Sequence, residues 1–237
     1  MHNSEKELAY LFQEGILVGE NEDLKQFQKR VFRLQQLSKI SFKNPLFGIN
    51  SAYAIVEEKK PLLPWFAAVT KFIHEETIVI PKIEISAFAP KETLDHELIH
   101  AVKAPHNDSI FEEFLAFELS GGLRRLLGPL FFDPWEANIL AITLLLGFFS
   151  PLLYIAGCLL LVFFLCRLFW TRSIYKKGLI EISNLFDCTN PLPFALLITE
   201  KEWKLLAKKQ GKEMLAELLE KDPLRYKQLH ALTLHHF

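Results

Sequence analysis

"DHELIHAVKAPHNDSIFEEF", Asp95 to Phe114, carries two histidines four residues apart, a glutamate beside the first, a third histidine and then adjacent glutamates. Pro90 suits the first turn of a helix, Glu92 and Asp95 favour its positive end, and Pro105 stops it by forcing Ala104 out of the α region. A short helix over Lys91 to Lys103 is predicted. On it His96 and His100 lie one turn apart, so both imidazoles project from one face and can hold one ion. Leu94, Leu98 and Ala101 point elsewhere, towards a core. Zinc suits a pair of neutral imidazoles, and three protein ligands leave a position for water. Glu97, next to the first histidine, is placed to take a proton from that water, chemistry that leads to peptide hydrolysis.

The third ligand has two contenders. "HELIHAVKAPH" places His106 at the spacing of the metzincin pattern HExxHxxGxxH, but Lys103 stands where that pattern has the glycine that turns the chain with positive φ. The other contender is a glutamate of the next helix. Asn107, Asp108 and Ser109 are helix starters, and Ser109 with Glu112 spells a capping box, which gives Glu112 a duty at the helix N-terminus. Glu113 is then the freer carboxylate, one turn from the small Ala116. Gly121 and Gly122 supply a C-cap, ending that helix near Ser120.

These residues resemble the gluzincin metallopeptidases, in which HExxH is followed by a glutamate ligand on a second helix, often within ExxA, here Glu113-Phe114-Leu115-Ala116. The resemblance covers about Thr77 to Ser120, including the candidate edge strand that in such enzymes pairs with the substrate backbone. It implies His96, His100 and Glu113 as zinc ligands, Glu97 as general base and a peptide or protein substrate. Two departures accompany it. Phe117 stands where the membrane-bound branch commonly has aspartate, and the gap of twelve residues between His100 and Glu113 is short.

The bilayer enters through composition. From Ala137 to Cys166 there are 30 consecutive uncharged residues, more than the ~20 that cross a bilayer as one helix and too few for two full spans. "GFFSPL", Gly147 to Leu152, breaks the run at Ser150 and Pro151. Arg124 and Arg125 precede it, and Arg167, Arg172, Lys176 and Lys177 follow, so both flanks carry cytoplasmic-type charge. Trp135 and Trp170 mark two interface crossings. The expectation is a transmembrane or shallow re-entrant hairpin over residues 136–170, with a single tilted span as the alternative.

Elsewhere the chain reads as soluble. Ser4 and Glu7 form a capping box before a helix through Phe12. Leu24, Phe27, Val31, Phe32 and Leu34 make the apolar stripe of a second helix, with Lys25, Lys29, Arg30 and Arg33 on its polar side. "SAYAIV" and "ETIVIPKIEISAF" read as strands, with "EEKKPLLP" a turn between them; Pro81 within the second strand argues for an edge or a bulge. "PLPFALLI" is a further strand candidate. Thr199 with Glu202 caps a helix, and "EMLAELLEKD" forms another.

The fold class expected is α+β and mostly helical. Residues 1–135 form a zincin-like domain with a small sheet, residues 136–170 the hairpin and residues 171–237 a helical C-terminal segment. A net charge of −1 argues against nucleic acid as a partner. The three cysteines match no zinc-knuckle or disulfide spacing. The first thirty residues lack the pattern of a secretory signal, so an integral membrane protein with its soluble parts in the cytoplasm is expected. A non-enzymatic membrane adaptor, or a zincin that has lost activity, is the competing expectation, with the HELIH segment then incidental.

Overall fold

The computed structural model describes residues 4–59, 68–75, 78–87, 89–106, 110–120, 122–131 and 134–234. The chain opens with α1 (Glu5–Gln13) and α2 (Leu24–Gln35), followed by β1 (Lys39–Asn44), β2 (Ile49–Tyr53), β3 (Ile55–Lys59), β4 (Ala68–Glu75) and β5 (Ile78–Ser86). Next come α3 (Lys91–Lys103), α4 (Ile110–Phe117), α5 (Gly122–Leu127), α6 (Pro134–Leu146) and the long α7 (Pro151–Phe186). The chain then forms α8 (Leu192–Ala195), α9 (Glu200–Leu206), α10 (Gly211–Lys221) and α11 (Pro223–Leu234). It is a mostly helical α+β protein with little sheet, as its sequence leads one to expect.

Capping chemistry sets several of these boundaries. The Ser4 side chain accepts from the Glu7 N–H at the start of α1. Asp23 and Gln26 make a reciprocal capping box at α2, as do Thr199 and Glu202 at α9, each satisfying N–H groups that the helix itself leaves unpaired. The helix predicted over Lys91 to Lys103 has those bounds. The helix after it, α4, ends at Phe117, and turn bonds carry the chain to Ser120. Asn107, Asp108, Ser109 and Gly121, named above as starters and cap, lie outside the described residues, as do the residues of the expected turn beyond Lys59.

Among the described residues five strands form two sheets, β1 antiparallel to β2, and β3, β5 and β4 in that order, with β5 in the centre. This corrects the reading of Pro81 as an edge marker. β4 pairs with β5 from Ile78 to Ile85, Phe72 lying opposite Pro81, whereas β3 runs parallel to β5 only from Lys82 onward. A proline has no N–H to give to a ladder, and at Pro81 one side of the strand has no β3 partner to need one. β1 and β4 were not anticipated; most residues of β4 are exposed, so the period-2 pattern of a half-buried strand is absent there.

Two further expectations change. "PLPFALLI" is no strand: Leu192–Ala195 forms one buried helical turn, and its two prolines would interrupt any ladder. In α2, Phe27, Val31 and Leu34 are buried as expected, but Leu24 and Phe32 are exposed. Arg30 is buried rather than solvated, because its guanidinium is satisfied by both carboxylate oxygens of Glu22 and by the Leu17 carbonyl.

α7 runs unbroken across the boundary expected near residue 170, and its second half is a central post of the fold. Trp203 of α9 lies against Tyr175 of α7 and Phe111 of α4, at ring centroid distances of 5.1 and 5.3 Å, and Tyr175 stacks on Phe114 of α4 at 5.3 Å. Four aromatic rings from three helices thus close on one another, all buried. At the other end α11 is tied to the N-terminal segment. The Gln228 side chain accepts from the Val18 N–H and donates to the carbonyls of Leu8 and Ile16.

Gly178 lets the Trp203 indole lie directly on α7: a Cβ there would sit 2.2 Å from Cε3 and 2.4 Å from Cζ3 of that ring. Gly178→Ala therefore forces the indole away and is expected to destabilise the protein by about 1–3 kcal/mol, the usual cost of overpacking, despite alanine's better helix propensity. Thermal unfolding of wild type and variant in the same detergent checks this; an unchanged or raised midpoint contradicts it.

Candidate metal centre

The predicted one-turn spacing puts His96 and His100 on the face of α3 that looks towards α4, with their Nε2 atoms 3.2 Å apart. From α4, Glu113 brings Oε2 to 3.6 Å from His96 Nε2 and Oε1 to 3.4 Å from His100 Nε2. Three donors about 2.1 Å from one tetrahedrally coordinated ion are about 3.4 Å apart, so two imidazoles and a carboxylate this close could hold one ion. Among the described residues, His96, His100 and Glu113 form the group whose donor atoms all lie within 4.8 Å of one another. His96 and Glu97 are buried, His100 and Glu113 partly so.

The position of Glu113 follows from the opposite face of its helix. Phe111 and Phe114, three apart, belong to the aromatic cluster on α7 and α9, which leaves Glu112 and Glu113 directed at α3. Phe117, the residue that departs from the aspartate of the resembling enzymes, packs edge-on against the His96 ring at 4.4 Å. It supplies an apolar wall and steric support where a carboxylate would have supplied a hydrogen bond.

Glu112 has a duty that its place in a sequence-level capping box does not convey. Its Oε1 accepts from His100 Nδ1 at 2.5 Å. That bond fixes the tautomer with Nε2 facing Glu113, and such carboxylate support holds a ligand ring in place and raises its basicity. The capping partner Ser109 lies outside the described residues. No spacing rule in the sequence distinguishes an orienting glutamate from its neighbour, and both are buried enough to matter, Glu112 the more so.

His106 is not brought to this centre. It ends the 3-10 turn Ala104–His106 and is buried on the far side of it, near Lys103, Arg225 and Arg30; burial first, then these cations, push its pKa well below the ordinary histidine value. The contender drops out because the turn after α3 carries it into the core. Lys103, which occupies the position of a turn glycine in the metzincin pattern, is itself fully buried and donates from Nζ to the Ile198 carbonyl at 3.0 Å.

Thr70 of β4 is a residue that the sequence did not reveal. Its hydroxyl donates to Glu97 Oε2 at 2.6 Å. The edge strand thereby fixes one carboxylate oxygen of Glu97. Only the three-dimensional crossing of β4 over α3 joins residues 27 apart in the chain; no local motif records it.

The charges of the centre are coupled. Burial opposes a charged His100, but the bond to Glu112 and the charges of Glu112, Glu113 and Glu97 outweigh it and push the pKa up to about 9. Burial also pushes Glu113 up, to about 7, against the pull of His100 and with help from Glu112 and Glu97. The metal-free site therefore holds protons that a cation must displace.

Compared with family models, with curated proteins and with solved structures, the chain shows no match. The assignment rests on the geometry of the residues themselves.

The sign of the pH dependence follows from those two groups. Protons compete for His100 below about pH 9 and for Glu113 below about pH 7, so metal affinity should rise with pH through both values and level off above the higher one. Zinc uptake at pH 7 is expected to release protons, chiefly from His100, whose pKa lies well above that pH. Calorimetric titrations in buffers of different ionisation enthalpy measure this release. Glu112→Gln, which lowers the His100 pKa, should release fewer; uptake without proton release contradicts the arrangement.

Proposed function

We propose that the protein is a membrane-anchored, zinc-dependent metallopeptidase with a zincin-like catalytic unit, in which His96, His100 and Glu113 hold the ion and Glu97 is the general base. The single observation that carries this reading is the set of donor separations, 3.2, 3.4 and 3.6 Å, among two histidine nitrogens and a carboxylate. It is supported by the glutamate between the histidines, held by Thr70, and by the carboxylate behind His100. Two imidazoles and one carboxylate form a donor set typical of hydrolytic zinc, leaving a fourth position open.

A zinc ion in this set supplies Lewis acidity to the water and to the scissile carbonyl. The protein's own residues do the rest. Glu97 accepts the proton of the attacking water on the oxygen that Thr70 leaves free, then returns it to the departing amine as the C–N bond breaks. Glu112 keeps His100 in the ligating tautomer throughout. The burial of Glu97 on α3 limits the access of bulk water to the base, conditions under which a fixed charge acts more strongly.

Membrane attachment is supported by α7, 36 residues in length and apolar enough to cross a bilayer. The basic residues on both flanks of the apolar run favour a soluble part on the cytoplasmic side.

Elemental analysis and proteolysis of the purified full-length protein test the reading. One zinc per chain is expected in wild type and in Glu97→Gln, and much less in His96→Ala. Hydrolysis of a mixed peptide library should be present in wild type and fall by at least about 10²-fold in Glu97→Gln, as for loss of a general base. Wild-type protein that takes up no zinc, or a Glu97→Gln variant that cleaves as fast as wild type, overturns it.

A further inference from the structure

α6 and α7 form an antiparallel pair. A Cβ at Gly147 would meet Tyr154, a Cβ at Gly157 would meet Leu144, and Arg167 bonds both carboxylate oxygens of Glu136, at 2.5 and 2.6 Å. Glycine at 157 allows the limbs to touch near their tip, and the ion pair closes them at their base. Glu136 is buried, and Arg167 also donates to the Leu130 carbonyl and lies over the Phe164 ring. These neighbours meet most of the polar groups of a charged pair held at an apolar boundary.

Above that pair no residue is charged, and the outward faces are apolar. Ile139, Ile142 and Leu145 of α6 and Leu159, Val162 and Phe163 of α7 are each more than two-fifths exposed, while Phe148 and Phe149 at the tip are 86 % and 88 % exposed. Such a surface is far too apolar to face water. The dimensions then decide how it meets lipid. From Glu136 to Gly147 the first limb rises about 17 Å, and from Arg167 to Pro151 the second about 24 Å, against a hydrocarbon thickness of about 30 Å.

We infer that the α6–α7 hairpin is a re-entrant anchor: it enters and leaves the bilayer from the same face, its Phe148–Phe149 tip ending in hydrocarbon short of the far headgroups. The partner is the acyl-chain region of a lipid bilayer. A hairpin that crossed would need its tip to reach the far interface, where "GFFSP" offers no charged residue to hold it. At the base, Trp135 and Trp170, 57 % and 73 % exposed, sit at matching levels beside Glu136 and Arg167, as interfacial aromatic residues do. Beyond them come Arg172, Lys176 and Lys177, whose positive charge suits anionic headgroups.

This inference does not depend on the metal chemistry, but it gives the candidate centre an address. Tyr175, which stacks on Phe114 next to Glu113, lies eight residues beyond Arg167, about 12 Å along α7. The site is thus held a short distance from the headgroups, on the face from which the hairpin enters.

Topology in reconstituted vesicles tests it. Full-length protein with Cys158, Cys166 and Cys188 replaced by serine carries one added cysteine at a time, Phe149→Cys or Lys212→Cys, in vesicles of mixed zwitterionic and anionic phospholipid. Lys212→Cys should react with an impermeant maleimide from one side. Phe149→Cys should resist the reagent from both sides until detergent is added, and a fluorophore placed there should be quenched more by lipids spin-labelled deep in the acyl chain than by headgroup labels. Reaction of Phe149→Cys from the side opposite to Lys212→Cys means that the hairpin crosses, and overturns the inference. Equal reactivity of the two from one side, or protection of Phe149→Cys in a lipid-free oligomer, overturns it as well.

Discussion

The contact on which the candidate centre depends is the closed set of four aromatic rings, Phe111 and Phe114 of α4, Tyr175 of α7 and Trp203 of α9. It fixes the rotation of α4 about its own axis. With Phe111 and Phe114 committed to one side, Glu112 and Glu113 have only α3 to face, and Glu113 arrives at the two histidine nitrogens. Stacked or offset ring pairs each contribute about 0.5–1.5 kcal/mol beyond their buried area, enough to define one orientation of a helix only two turns long. A helix of eight residues has little stability of its own, so this packing is what turns Glu113 towards the two histidines rather than to the surface.

The same arrangement unites the parts of the chain. α7 carries the apolar hairpin limb at one end and a side of the aromatic set at the other, while α9 and α11 bring the C-terminal segment back onto the N-terminal half. Residues 171–237 are therefore part of the structure that holds the centre, and a truncation that removes α9 removes Trp203 with it.

Much of this was legible in the sequence, and the reasons for what was not are physical. Local signals carried the boundaries of α3, the Ser4 cap of α1, the capping box at α9, the strand preceding the HELIH segment and the break at Ser150 and Pro151, because each is written within about four residues. The His96 and His100 pair was legible because one helical turn places them together. What escaped depends on contacts between distant segments. Thr70 reaches Glu97 only because β4 packs on α3, and Glu112 supports His100 only because α4 is turned as it is. The burial of Arg30 needs Glu22 and the Leu17 carbonyl, and periodicity alone assigns such a residue to solvent. Pro81 misled because the rule for edge strands applies to each side of a strand separately, and β3 leaves one side open at that residue.

The central claim is that two imidazoles and one carboxylate converge on a single ion. X-ray absorption at the zinc edge of the metal-loaded full-length protein addresses it most directly. The account predicts a shell of nitrogen and oxygen donors at about 2.0–2.2 Å, with the outer-shell signature of two imidazoles and no sulfur, one imidazole being lost in His96→Ala. A sulfur shell near 2.3 Å, a spectrum with no imidazole contribution, or one unchanged by His96→Ala would contradict it.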